Sequence, residues 1–452
     1  MSESQFGSKP PEAEEAMPPV EHRNPLGWIA LAFLFAFLIL NSSERRASPS
    51  PETRRAAYSA RLKTALIVRD AGSGPIALAM SGNQTPDDGL KELERDTAPR
   101  HQSEAVESAV WAAVRTELKE NVTPADLLPL RDDPKYASFA EIYSSKKLSK
   151  PEAVGLATEL EKGDALAKLA AAHLRSEAGL PALPKPPAVT ANMARVVLLM
   201  LALLLASGVA WIAFISLGSA GELRSLGPAS TIRGGAEADV YAVRAATLLV
   251  AFFGLSAVVG LLRLDSRLAQ LLAYGPMLFV VPWVLRKRPS MADVGLTTRT
   301  LKRDILLGLW AFLLELPVTA MVALLGTLLL RNLPRPEHPA STALQNTHDL
   351  GTILVTLFMG AIVAPFWEET MFRGLLFPAL RQVLRGPAVA ALVSSFLFAS
   401  IHPQGPVLWA ALASVALFSC ALAQRTRSLV PSVVMHFAHN ATLLTLAVLA
   451  SS

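Results

Sequence analysis

The chain has 452 residues, 52% hydrophobic and 17% charged, with a formal net charge of +5. That balance is too apolar for an ordinary soluble protein, and the length allows more than one domain. The basic excess lies largely in short loops beside apolar runs, where it reports topology; no basic patch carries interleaved aromatics, so no nucleic acid is expected as a partner.

Residues 1–25 are polar and rich in Pro and Glu, a composition that predicts a disordered tail. An apolar run, Leu26–Leu40, follows. It is short against the ~20 residues of a bilayer helix. The acidic stretch before it and the lack of a small-x-small cleavage site favour an uncleaved membrane anchor over 26–41 rather than a signal peptide. Residues 42–190 read as a soluble helical domain. Glu104–Glu120 and Lys150–Ala178 have helical spacing and good helix formers. No catalytic motif occurs there, His101 and His173 stand alone as surface residues, and Pro181–Pro187 is a stiff linker.

Long apolar runs then follow at about 195–217, 244–263, 267–285, 304–330, 350–376, 387–401, 406–423 and 429–449. Most reach bilayer length. The expected fold is an all-α, polytopic membrane helix bundle of about eight or nine spans, with the soluble helical domain near its N-terminus. Residues 191–285 would form accessory transmembrane helices and 286–452 a membrane core. The tight turn between Arg263 and Arg267 leaves open whether the runs on either side cross separately. Cys420, the single cysteine, lies inside one of the runs; it excludes an intrachain disulfide and reads as a small buried hydrophobe.

Arg286, Lys287, Arg288, Arg299, Lys302 and Arg303 crowd loop 286–304. Arg381 and Arg385 lie in the loop after 350–376, and Arg425 and Arg427 in the loop after 406–423. These three loops are expected on the cytoplasmic side. Counting back places the N-terminus inside and 42–190 outside, which sets Arg45 and Arg46 against the same rule. The expected location is an integral, multi-pass membrane protein, in the cell membrane if the chain is bacterial.

Ionisable groups inside a bilayer each require a reason. The C-terminal third holds Glu368, Glu369 and Arg373 in APFWEETMFRG, His402 in FLFASIHP, and His436, His439 and Asn440 in VVMHFAHN. Glu369 and Arg373 are four apart on one helix face, with the acid first, a favourable order for an ion pair. Glu368 points about 100° away and lacks a local partner; such a carboxyl suits a general base. His436 and Asn440 share a face, and their N–H groups could hold a developing oxyanion. His439, about 60° around the helix, reads as structural. Measured from the flanking loops, Glu368 lies ~20 Å deep, His402 ~24 Å, His436 ~14 Å and Asn440 ~20 Å, all within the hydrocarbon layer. Pro378, Pro387 and Pro431 introduce kinks that blur these depths by a turn. Glu315, in FLLELP, would either neutralise a positive group such as Arg373 or line a water-filled cavity.

At these residues the chain resembles the CPBP family, the CAAX-protease and bacteriocin-processing membrane proteins related to Ras-converting prenyl endopeptidases. That family's EExxxR, FxxxH and HxxxN motifs read here as Glu368-Glu369-Thr-Met-Phe-Arg373, Phe398-Ala-Ser-Ile-His402 and His436-Phe-Ala-His-Asn440. The resemblance covers about 286–449. It implies an intramembrane endopeptidase that hydrolyses a peptide bond of a membrane-associated, in some cases lipidated, protein or peptide without a covalent intermediate. By that resemblance Glu368 and His402 would activate water, His436 and Asn440 would stabilise the oxyanion, and Glu369 and Arg373 would support the first motif.

No cofactor is favoured. The alternative is zinc on Glu368, His402 and His436 with an open fourth position, although the HExxH of zincins is absent. The expected partners are the peptide or protein substrate and the lipid bilayer. The competing readings are a non-catalytic membrane scaffold and a transporter. The ordered motif set favours the enzyme, and a transporter would be expected to show internal repeats.

Overall fold

The computed structural model describes residues 25–44, 51–71, 85–98, 104–144, 148–181, 187–219, 235–262, 264–330, 340, 344, 349–384 and 386–451. Arg45, Arg46, His101, Arg263 and Arg385 lie outside them, as does most of the Pro181–Pro187 linker. The described residues contain helices and no strand.

Helix α1 (Leu26–Glu44) precedes a helical body made of α2 (Pro51–Ala71), α3 (Asp88–Thr97), α4 (Ala105–Glu117), α5 (Leu128–Arg131), α6 (Ala137–Ile142), α7 (Lys150–Leu160) and α8 (Ala165–Glu177). The Lys150–Ala178 stretch is thus two helices. Asp164 begins the second of them by accepting from the Ala167 N–H at 2.9 Å, the usual work of an N-cap carboxylate. This body has its own apolar core, with Leu62, Leu90, Val110, Leu130, Phe139 and Leu166 among its members. His173 is half-buried, stacked on Tyr143 with ring centroids 5.5 Å apart.

The apolar helices are α9 (Pro187–Ser219), α10 (Gly235–Leu261), α11 (Ser266–Tyr274), α12 (Met277–Val284), α13 (Leu301–Leu329), α14 (Leu350–Val383), α15 (Pro387–Ser400), α16 (Pro406–Thr426) and α17 (Val430–Ser451). Among the described residues, seven stretches are long and apolar enough to cross a membrane: those in α9, α10, α13, α14, α16 and α17, and the combined α11–α12. The chain is an integral, multi-pass membrane protein. Leu201, Leu205, Val209 and Ile212 on α9 remain exposed, as expected of a face turned to lipid.

The runs on either side of residue 263 form separate helices. The first begins nine residues before the apolar run suggests, because Asp239 is buried there and accepts from the Trp28 indole N–H of α1 at 2.8 Å. A buried carboxylate with a donor can be held inside a helix bundle. Gly27 allows this approach: a Cβ there would lie 2.7 Å from the Val243 backbone nitrogen. Leu31, Phe35 and Leu38 of α1 join Tyr241, Leu248, Trp367, Phe372 and Phe398 in the main membrane core.

Contacts give the helix directions. Gly308 and Glu315 of α13 meet Pro431 and His439 of α17, so these two helices run parallel. Thr319 and Gly326 of α13 meet Ser414 and Val407 of α16, so that pair is antiparallel. The chain direction therefore alternates through α14, α15 and α16. Helix α15, apolar but only 14 residues long, is shorter than the seven.

Candidate active site

Helix α14 is not a uniform α-helix. A short α-helical piece, Ala364–Glu369, stands between two π-helical pieces, Met359–Val363 and Thr370–Leu376. Each π piece comes just before a proline. Pro365 and Pro378 have no N–H to offer the carbonyls of Ala361 and Gly374, and a regular turn would press their rings against those carbonyls. Widening the turn relieves both conflicts, and such widened turns recur at functional sites. Glu368 and Glu369 close the α-helical piece between them.

Glu369 is the junction of the buried polar groups. Its Oε1 lies 3.1 Å from the Arg373 guanidinium, both side chains having 0% exposure. The same oxygen lies 2.9 Å from Nδ1 of His436 on α17, and Ser419 of α16 donates its hydroxyl to it at 3.3 Å. The Arg373 guanidinium carbon also sits 4.5 Å from the centre of the Phe398 ring, a favourable place for a cation. Sequence spacing predicts the Glu369–Arg373 pair. It does not reveal His436 and Ser419 as further partners, although a serine in an apolar helix is a polar signal of the kind that marks such contacts.

His436 links the two glutamates. With Nδ1–H donated to Glu369, its Nε2 lies 3.8 Å from Oε2 of Glu368. An imidazole anchored through one nitrogen presents the other in a fixed direction. The Glu368 side chain keeps 10% exposure, in contrast to the sealed Glu369. Behind it, Trp367 stacks on Phe252 at 4.2 Å, and Phe252 meets Tyr274 at 5.1 Å.

The other motif residues lie around this group. His402 follows the end of α15, with Nδ1 2.6 Å from the Phe398 carbonyl. A carbonyl can only accept, so that bond assigns a proton to Nδ1. The Phe398 ring connects the two histidines, at 4.5 Å from the His402 ring and 5.7 Å from the His436 ring. Asn440 donates from Nδ2 to the carbonyl of Gly360, in the first π piece, at 2.9 Å. A primary amide has a second N–H, so Asn440 retains one donor. His439 is buried and pairs with Glu315 of α13, Nδ1 to Oε2, at 3.1 Å. Glu315 therefore meets a histidine rather than Arg373. Cys420 is buried, 4.0 Å from the Ser395 hydroxyl.

A zinc ion with three protein ligands would need Glu368, His402 and His436 to converge. Among the described residues, no group of three or more His, Cys, Asp and Glu side chains is gathered closely enough to hold a metal ion. The arrangement does not fit that ligand set.

Residues 350–442, which carry all three motifs, match the family model of type II CAAX prenyl endopeptidase Rce1-like proteins. They form an Rce1-like domain. No curated protein and no solved structure matches the chain. The Rce1-like domain runs from the start of α14 to the middle of α17 and assigns this part of the chain to the CAAX protease family. Glu315, on α13, lies outside the matched residues.

Proposed function

We propose that the protein is an intramembrane endopeptidase that hydrolyses a peptide bond of a membrane-associated, lipidated protein or peptide, using water activated by Glu368. The observation that carries this reading is His436, held through Nδ1 by the Glu369–Arg373 pair and turned through Nε2 toward the partly accessible Glu368. The match of residues 350–442 to the Rce1-like family model supports the protease class.

In this mechanism Glu368 takes a proton from water, with His402 assisting in its activation. The water oxygen bonds to the carbonyl carbon, and the π pair moves onto the carbonyl oxygen. His436 and the remaining Asn440 N–H donate to that oxyanion. Collapse of the tetrahedral intermediate breaks the C–N bond, and the proton on Glu368 passes to the leaving nitrogen. No covalent enzyme intermediate and no metal enters any step.

The test is cleavage of a prenylated peptide, and of the same peptide without its lipid, by the protein in proteoliposomes. Glu368→Gln should lower turnover about 10²- to 10⁴-fold, the usual share of a general base, with unchanged folding. Parental turnover in that variant would remove Glu368 from its role. A chelator should leave the parent active; inactivation reversed by zinc would overturn the metal-free mechanism. Equal cleavage of both peptides would overturn the preference for a lipidated substrate.

A further inference from the structure

A second buried acid–histidine pair lies beside the site. Glu315 has no exposure and His439 very little, and they meet at 3.1 Å across α13 and α17. The other Glu315 oxygen, Oε1, is buried without a hydrogen-bond partner. Keeping a carboxyl group sealed and half satisfied is costly. Apolar packing alone would join these helices, since Ala311 and Phe312 already pack with Met435 and Ala438 in the same seam. Above that seam, Gly308 lets α13 press against the Pro431 carbonyl and Val434.

The pair does something that apolar packing cannot. A smooth apolar seam permits a helix to rotate by small amounts, whereas a hydrogen bond has a direction. His439 is three residues after His436 and immediately before Asn440. Rotation of α17 would swing Nδ1 of His436 away from Glu369 and Nδ2 of Asn440 away from Gly360. One turn along α13, Thr319 meets the Ser414 hydroxyl of α16 at 2.6 Å, so α13 is itself held on a second side.

We infer that Glu315 and His439 are a positioning pair: their hydrogen bond sets the rotation of α17 and thereby aims His436 and Asn440. The inference rests on the proposed reaction for its kinetic consequence, but not for its structural one. The bond needs an acceptor oxygen at position 315, not a charge.

The experiment follows the full-length protein in lipid with two readouts, peptide cleavage and the ¹⁵N resonances of the His436 ring, assigned by their loss in His436→Gln. Glu315→Leu and His439→Leu should lower kcat about 100-fold, the scale of a small misplacement of a catalytic group. KM should change little, and the His436 resonances should move. Glu315→Gln, whose amide oxygen accepts from the same N–H, should keep parental kcat and resonances. Leucine variants that fold with parental kcat and resonances would overturn the inference. So would a Gln variant that loses kcat as the leucine variants do. Should the leucine variants fail to fold, Glu315→Asp withdraws the oxygen by one methylene and should show the same two changes; a parent-like Asp variant overturns the inference. If Glu368→Gln proves active while the resonances still move in Glu315→Leu, the proposed reaction fails and the positioning role stands.

Discussion

Glu368 and Glu369 are neighbours in the chain with opposite surroundings. Glu369 is sealed among Arg373, His436 and Ser419, whereas Glu368 keeps an accessible edge opposite one imidazole nitrogen. The same class of substitution should therefore fail in different ways at the two places. Removing one member of a buried ion pair leaves the other charged and desolvated, at a cost of about 3–5 kcal/mol. Arg373→Met is thus expected to destabilise the protein by roughly that amount, read as a lower unfolding midpoint in detergent. An unchanged midpoint would show that Arg373 does not neutralise Glu369. The residue-level pattern was only half legible in the sequence. The Glu369–Arg373 contact follows from a four-residue helical spacing. The Glu369–His436 and Glu315–His439 contacts join residues 67 and 124 positions apart, and helical periodicity carries no information about which distant helix faces which.

The sequence located the apolar helices by their hydrophobic length, and the structure keeps those locations within a few residues for most of them. It misplaced the start of α10, where Asp239 and Arg244 interrupt the apolar run, since the partner that makes Asp239 tolerable is Trp28 on another helix. The π-helical pieces of α14 were legible only as prolines. A proline inside a helix announces a disturbance, but it does not say whether the helix bends or widens. In α14 it widens, and the glutamates sit between the widened turns. Pro365→Ala restores an N–H at that position and removes the ring clash, so it should favour a regular turn. Proline is about 3 kcal/mol less favourable than alanine in a helix interior, so the variant should melt at or above the parental temperature. The regular turn would also rotate Glu368 relative to Gly360 and the carbonyl that holds Asn440. Turnover is expected to fall about 10-fold or more, given how steeply rate depends on placement. A variant with both higher melting temperature and parental kcat would show that the widened turn has no bearing on the reaction.

At the scale of the whole molecule, the order of segments along the chain and the grouping of their cores differ. The described residues between 51 and 181 pack around one apolar centre that includes Leu62, Leu90 and Phe139. Long-range polar contacts close that body, with Arg55 on Asp164 at 2.8 Å and Ser59 accepting from the Ala165 N–H at 2.9 Å. Helix α1 precedes this body in the chain but packs with the membrane helices: Phe35 meets Phe372 at 6.2 Å, and Phe372 meets Phe398, the ring between the two motif histidines, at 5.1 Å. A body with its own core and fewer than about 150 residues commonly folds as one cooperative unit. The fragment 51–181 is therefore expected to be soluble and helical by circular dichroism, with a single melting transition. Two deletions then separate the roles of what lies before α9. Excising 51–181 and joining its flanks with a flexible linker leaves α1 against Phe372, and should preserve the melting temperature of the membrane part. Deleting everything before residue 187 also removes α1. It strips Trp28 from the buried Asp239 and Phe35 from Phe372, exposing a carboxylate partner loss and an apolar gap at once. That deletion should lower the melting temperature markedly, by the several kcal/mol typical of such losses. Equal melting temperatures for the two deletions would mean that α1 is an independent anchor, and that the core around the motif helices is complete without it.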